Sequence, residues 1–274
     1  MAKKKTSGSR STALAKLHPQ PLTGTEVAAI SAAVGSREAL AKMPGSGGEI
    51  VVQDGVARVT GRSYATTDAI VPAAEIYFDE GSRPRHDGPW LGEADKVAWV
   101  DPATGLECIM LRDRAGGFLS GYVGVPDNHP LFGWDHKAIP ADLGVEVHGG
   151  LTYSRICDDG PIPEGRLITE GRRICHVGVG RAPLTHATDH RVEAGQWWFG
   201  FDCNHLYDVV PVHYGSRRAF MAREIEPEYR DDGYVVREIL NLAAQLAAIR
   251  DGRPVPARAG PPLPPIGLDP GSAR

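Results

Sequence analysis

Val97-Ala98-Trp99-Val100-Asp101-Pro102-Ala103-Thr104-Gly105-Leu106-Glu107-Cys108-Ile109-Met110-Leu111 is the stretch that decides the fold. Two short apolar runs, with β-branched and aromatic residues among them, flank five residues of turn chemistry. Asp101, Pro102 and Gly105 favour a tight reversal between them. The connection is too short for a crossover helix, so the two runs are read as antiparallel neighbours.

Working outward, more strands of the same kind appear. Phe118–Val125 follows directly, and Ala74–Phe78 precedes. Ile50–Val52 and Val56–Val59 flank Asp54-Gly55, a dipeptide that suits a two-residue hairpin turn. Gly144–His148 and Gln196–Phe201 complete the set of expected strands. Near Asp231 the period changes. Val235, Ile239, Leu242, Leu246 and Ile249 step by four and three, the spacing of a helix with one apolar stripe that packs on the sheet. An earlier helix is read over Thr25–Met43, capped by Thr25, stopped by Pro44-Gly45 and open to a break at Gly35-Ser36. The expected class is therefore α+β: short, mostly antiparallel strands in a sheet, packed by a C-terminal amphipathic helix.

Composition agrees with one core and limits what the chain can be. Of 274 residues, 42% are hydrophobic and 23% charged, enough apolar material for a globular domain. With 33 Gly and 22 Pro, just over a fifth of the chain, turns and loops are favoured over a helical bundle. A disordered basic tail is expected over 1–20 and a small helix-and-hairpin region over 21–88. The main α+β domain is expected over 89–250, with a disordered Pro/Gly-rich tail over 251–274. A net charge of −4 gives the folded part no nucleic-acid signature; only the basic N-terminal tail carries one. No apolar run reaches the roughly 20 residues that span a bilayer, so no membrane partner is expected. Lys3, Lys4 and Lys5 are followed by Thr6–Arg10 rather than an apolar stretch, which points to the cytoplasm. There Cys108, Cys157, Cys175 and Cys203 are read as thiols or metal ligands rather than disulfides.

Chemistry-bearing residues crowd into about sixty positions. Glu146-Val147-His148-Gly149-Gly150 brings an acid and an imidazole to a glycine turn. Read as a strand, it sets Glu146 and His148 on one face and Val145 and Val147 toward the core. The glycines allow close approach of a ligand to the backbone. Asp202, His205 and Asp208 follow the apolar strand at intervals of three, and a helical turn sets them on one side. A carboxylate, an imidazole and a second carboxylate make a divalent-metal set, zinc or manganese. The bland alternative makes Asp202 a helix cap with His205 and Asp208 exposed. Cys157, Cys175 and Cys203 with His176 or His205 have the composition of a structural zinc site, without the Cys-x-x-Cys knuckle. A nucleophilic cysteine with His148 as base is a further reading, and plain core thiols another. Asp135-His136, His186, Asp189 and His190 are read as solvated loop residues.

Several segments together resemble a family of proteins found in bacterial and phage genomes. They are residues 88–99 (GPWLGEADKVAW), 121–130 (GYVGVPDNHP), 146–154 (EVHGGLTYS), 175–177 (CHV), 197–208 (WWFGFDCNHLYD) and 229–238 (YRDDGYVVRE). The resemblance spans roughly 88 to 249. It implies an extent and motif boundaries and assigns no reaction.

Two functions follow from the residues. One is a metal-dependent hydrolase or related small enzyme. His148, Asp202 and His205 hold a divalent cation, Cys175 or Asp208 completes the shell, and Glu146 is the general base. The other is a non-enzymatic protein that binds a partner or nucleic acid, its Cys/His set a structural zinc site or core thiols.

Overall fold

The computed structural model describes residues 38–45, 47–157, 167–175, 195–214 and 226–264. Expectations for the N-terminal tail, for most of the Thr25–Met43 helix and for His176, His186, Asp189 and His190 lie outside these residues. Two short helices are described: α1 (Glu38–Ala41), inside the span expected for that N-terminal helix, and α2 (Leu167–Glu170).

The decisive hairpin forms as read. Strands β6 (Lys96–Val100) and β7 (Glu107–Arg112) pair antiparallel, with Trp99 opposite Cys108. Asp101 closes the turn between them by accepting from the Thr104 N–H and hydroxyl. Around this pair lie β1 (Ile50–Gln53), β2 (Val56–Thr60), β5 (Ala73–Asp79), β8 (Leu119–Val125), β9 (Tyr153–Ile156) and β10 (Trp197–Asp202). They form one antiparallel sheet in the order β1-β2-β5-β6-β7-β8-β10-β9. Asp54 and Gly55 both take positive φ, 49° and 77°, as a two-residue turn between twisted strands requires. Strands β3 (Tyr64–Ala65) and β4 (Ile70–Val71) make a separate ribbon. The sheet runs unbroken across residue 88: β1, β2 and β5 come from the 21–88 region and join strands that follow it.

Alternation along the strands gives the sheet two different faces. Val97, Trp99, Cys108, Met110, Phe199, Phe201 and Cys203 point to one face and form the main core. Ala98, Ile109, Tyr122 and Trp198 point to the other.

Helix α3 (Asp232–Arg250) covers the first face across β7 and β8. Asp231 caps it, accepting from the Tyr234 N–H at 2.8 Å. Val235, Ile239, Leu242 and Leu246 are fully buried. Gly121 in β8 permits the contact, since a Cβ there would lie 2.6 Å from Ile239. Burial on α3 is not confined to the apolar stripe, for Asp232, Glu238 and Gln245 are buried too. Their partners fix the helix in place. The Asp232 N–H donates to Glu93, which with Asp95 holds the buried Arg112.

The segment Gly144–His148, expected as a strand, pairs with no strand and has no regular secondary structure. Its polar backbone is satisfied by α3 instead. Gln245 accepts from the Glu146 N–H and donates to the Glu146 carbonyl, both at 3.0 Å. Without a pleat, side chains no longer alternate: Val147 and His148 are both buried while Glu146 is exposed. Among the described residues no helix is long and apolar enough to cross a membrane.

Candidate metal centre

After β10 the chain makes a single turn, closed by the Asp208 N–H donating to the His205 carbonyl at 3.0 Å. It is this turn, rather than a helix, that sets His205 and Asp208 on one side. Residue 208 then bridges to Glu228, which carries Arg230 up to the Asp208 carboxylate. The Gln245 anchor delivers His148 from the opposite direction. Three distant segments therefore meet under the first turns of α3.

His148 Nε2 lies 2.8 Å from Asp208 Oδ2, and His205 Nδ1 lies 3.3 Å from the same oxygen and 3.4 Å from His148 Nε2. Ligands held about 2.0–2.1 Å from a cation stand about 3.3 Å apart at tetrahedral angles and about 2.9 Å at octahedral ones. The sides of the observed triangle, 2.8, 3.3 and 3.4 Å, lie within about 0.1 Å of those limits. Its circumscribed radius, about 1.8 Å, is below the bond length of about 2.0–2.1 Å, so a cation just off its plane reaches all three atoms. His148, His205 and Asp208 can thus hold a metal ion.

The surroundings prepare each group. Asp208 is 1% exposed, and burial alone would raise its carboxyl. The imidazoles of His148 and His205, with Arg230, outweigh that and hold it well below the usual carboxylate range. Arg230 Nε donates to Oδ1 at 2.9 Å and leaves Oδ2 facing the imidazoles, where the His205 N–H also donates at 2.9 Å. On its far side His148 Nδ1 is 2.8 Å from the Tyr234 hydroxyl, whose pKa burial raises. If Nδ1–H donates to that oxygen, Nε2 keeps its lone pair for a cation, the usual outer-shell role beside a ligating histidine. His205 is the more open ligand, its side chain 22% exposed. Its ring lies directly over Gly149, where a Cβ would come within 2.0 Å of Cε1. Val145 and Leu151, which flank the His148-Gly149-Gly150 turn, also line a shallow recess of about 200 Å³.

The expected set is only partly assembled. His148, His205 and Asp208 converge; Asp202 and Cys175 do not join them. Strand alternation places Asp202, like Trp198 and Gly200, on the opposite face of the sheet from Phe201 and Cys203. Its carboxylate accepts instead from the Thr152 hydroxyl at 2.9 Å. Cys175 is bonded to Cys157 beside Trp198 on that second face, so neither sulfur is a thiolate ligand. The expectation of thiols or ligands at these two positions is corrected. With it goes a structural zinc site built on Cys157, Cys175 and Cys203. Such a bond persists in oxidising compartments, which sets it against the cytoplasmic location expected from the N-terminus. Cys108 and Cys203 are buried free thiols whose pKa burial pushes well up, the opposite of an activated nucleophile.

Glu146 is exposed on the rim, where its charge acts on Arg258. The sequence reading missed Tyr234, Arg230 and Glu238. All three lie in the 229–238 segment quoted above, but Arg230 precedes the helix cap and only Tyr234 and Glu238 stand on α3. Comparisons with protein-family models, curated proteins and solved structures find no match.

Proposed function

We propose that this chain is a metal-dependent hydrolase whose divalent cation is held by His148 Nε2, His205 Nδ1 and Asp208 Oδ2. The observation that carries the reading is the triangle of donor atoms, with sides of 2.8, 3.3 and 3.4 Å, assembled from two separate loops. Two imidazoles and one carboxylate form a borderline donor set suited to zinc or manganese. Three protein ligands leave coordination positions open, as catalytic rather than structural sites do. A cation held there would polarise a substrate oxygen and lower the pKa of water toward neutrality. The protein's own groups do the rest. Asp208 stays ionised under Arg230, Tyr234 orients His148, and His205 marks the side open to solvent. Glu146, exposed two residues from His148, stays the general-base candidate of the sequence reading alone. The resemblance to bacterial and phage proteins belongs to the same proposal, since all three ligands fall inside its 146–154 and 197–208 motifs.

A metal-free reading has one observation in its favour. The same distances suit a hydrogen-bonded relay from the Tyr234 hydroxyl through His148 to Asp208. Elemental analysis after purification without chelator separates the two. We expect one equivalent of metal, removable by chelator without unfolding and absent from His148→Ala. We also expect hydrolysis of p-nitrophenyl esters or bis(p-nitrophenyl) phosphate that chelation abolishes and Zn²⁺ or Mn²⁺ restores. Metal whose removal unfolds the chain would make the site structural. A metal-free protein that takes up no added cation would leave only the relay.

A further inference from the structure

The Pro/Gly-rich segment after α3, read from sequence as a disordered tail, turns back along the helix as far as the described residues extend. Arg258 forks onto Glu238, with Nε 2.7 Å from Oε2 and Nη2 2.5 Å from Oε1. Glu238 is fully buried and the Arg258 side chain is 5% exposed, within a segment that otherwise lies at the surface. Arg258 Nη1 also donates to the Pro261 carbonyl at 2.6 Å, which curls the segment around the guanidinium. Asn241 adds a second tie, donating to the Ala259 carbonyl at 2.8 Å and accepting from the Ala259 N–H at 3.0 Å.

Glu238 connects this strap to the metal centre. Its Oε2, held by Arg258, also accepts the backbone N–H of His148 at 3.2 Å. One carboxylate therefore grips the strap on one side and the ligand-bearing backbone on the other. A buried carboxylate stripped of its guanidinium would seek another cation, water or a proton, and the His148 N–H would lose a charge-assisted acceptor.

We propose that the strap around Arg258 is a positioning element for the metal centre, coupled to cation binding through Glu238 and the His148 backbone. The proposal rests on the metal reading of His148, His205 and Asp208. Arg258 touches neither cation nor substrate and acts only by fixing where His148 stands. Coupling of this kind runs in both directions: a docked strap favours the cation, and a bound cation favours the docked strap.

Co²⁺ titration of the full chain tests this, because imidazole-bound Co²⁺ has visible absorption that reports its ligand set. Wild type should saturate at one equivalent. Arg258→Ala should reach the same end-point spectrum but need about 10–100 times more free Co²⁺ for half-saturation, the range for outer-shell changes. Saturation of Arg258→Ala at the wild-type concentration would overturn the coupling while leaving the metal site standing. No Co²⁺ absorption in wild type would overturn the metal reading and this proposal with it. Should Arg258→Ala fail to fold, amide exchange in wild type decides. Loading with Co²⁺ should slow exchange at Ala259, and an unchanged rate would overturn the coupling.

Discussion

Gly149→Ala and Gly150→Ala form a matched pair that isolates the placement of His205. Both glycines take positive φ, 65° and 83°, so alanine at either meets a left-handed backbone penalty of about 1–2 kcal/mol. They differ in what the new methyl touches. At Gly150 nothing lies within 4 Å. At Gly149 the methyl would sit 2.0 Å from His205 Cε1 and 2.3 Å from Nε2. Ordinary carbon contact begins near about 3.5 Å, so the ring must retreat by about 1.5 Å. Metal sites tolerate errors of only about 0.2 Å in ligand position, so Nδ1 leaves the triangle. We expect urea unfolding to show a similar loss of about 1–2 kcal/mol for both variants. Co²⁺ affinity should fall about 100-fold or more in Gly149→Ala, beyond the usual effect of an outer-shell change, and hold near wild type in Gly150→Ala. Equal affinities in the two variants would refute the placement of His205 over Gly149 as a ligand.

Other outcomes follow from the same geometry. Asp208→Asn takes the buried carboxylate from Arg230, which keeps its pair with Glu228, and should lower stability by about 1–3 kcal/mol in urea unfolding. In wild type the folded-state pKa of Asp208 is depressed, so its contribution is complete above the unfolded value of about 3.9. Stability should decline as pH falls below that value, and less so in Asp208→Asn, as urea midpoints across pH would show. Tyr234→Phe removes the acceptor for His148 Nδ1–H and should weaken Co²⁺ binding about tenfold in the same titration. Cys175→Ser opens a link across 18 residues and should lower stability by about 3 kcal/mol. Because that bond lies on the other face of the sheet, Co²⁺ affinity should not move.

The regular elements were legible because each carries its own local signal. Asp54-Gly55 dictates a turn, Asp101–Gly105 dictates another, and Asp231 caps a helix at the residue where the period changes. Gly144–His148 was misread because its apolar residues alternate like a strand, yet nothing local says that Gln245 on α3 takes the backbone bonds. The site divides along the same line. His148, His205 and Asp208 stand out as reactive types next to turns. Asp202 looks equivalent at a spacing of three, but it still belongs to the strand, where a period of two sends it to the opposite face. The pairing of Cys157 with Cys175 is a tertiary approach across 18 residues, which no spacing reveals. Arg258 was lost in a Pro/Gly-rich stretch that reads as tail, though one buried acid on α3 suffices to dock it.

Anomalous diffraction at the zinc edge, from crystals grown with Zn²⁺, would examine the centre without reference to any substrate. We expect a single peak about 2.0–2.2 Å from His148 Nε2, His205 Nδ1 and Asp208 Oδ2 together. A map with no peak there, and the two imidazoles and the carboxylate still hydrogen-bonded to one another, would mean that these residues form a polar knot in the core and not a metal centre.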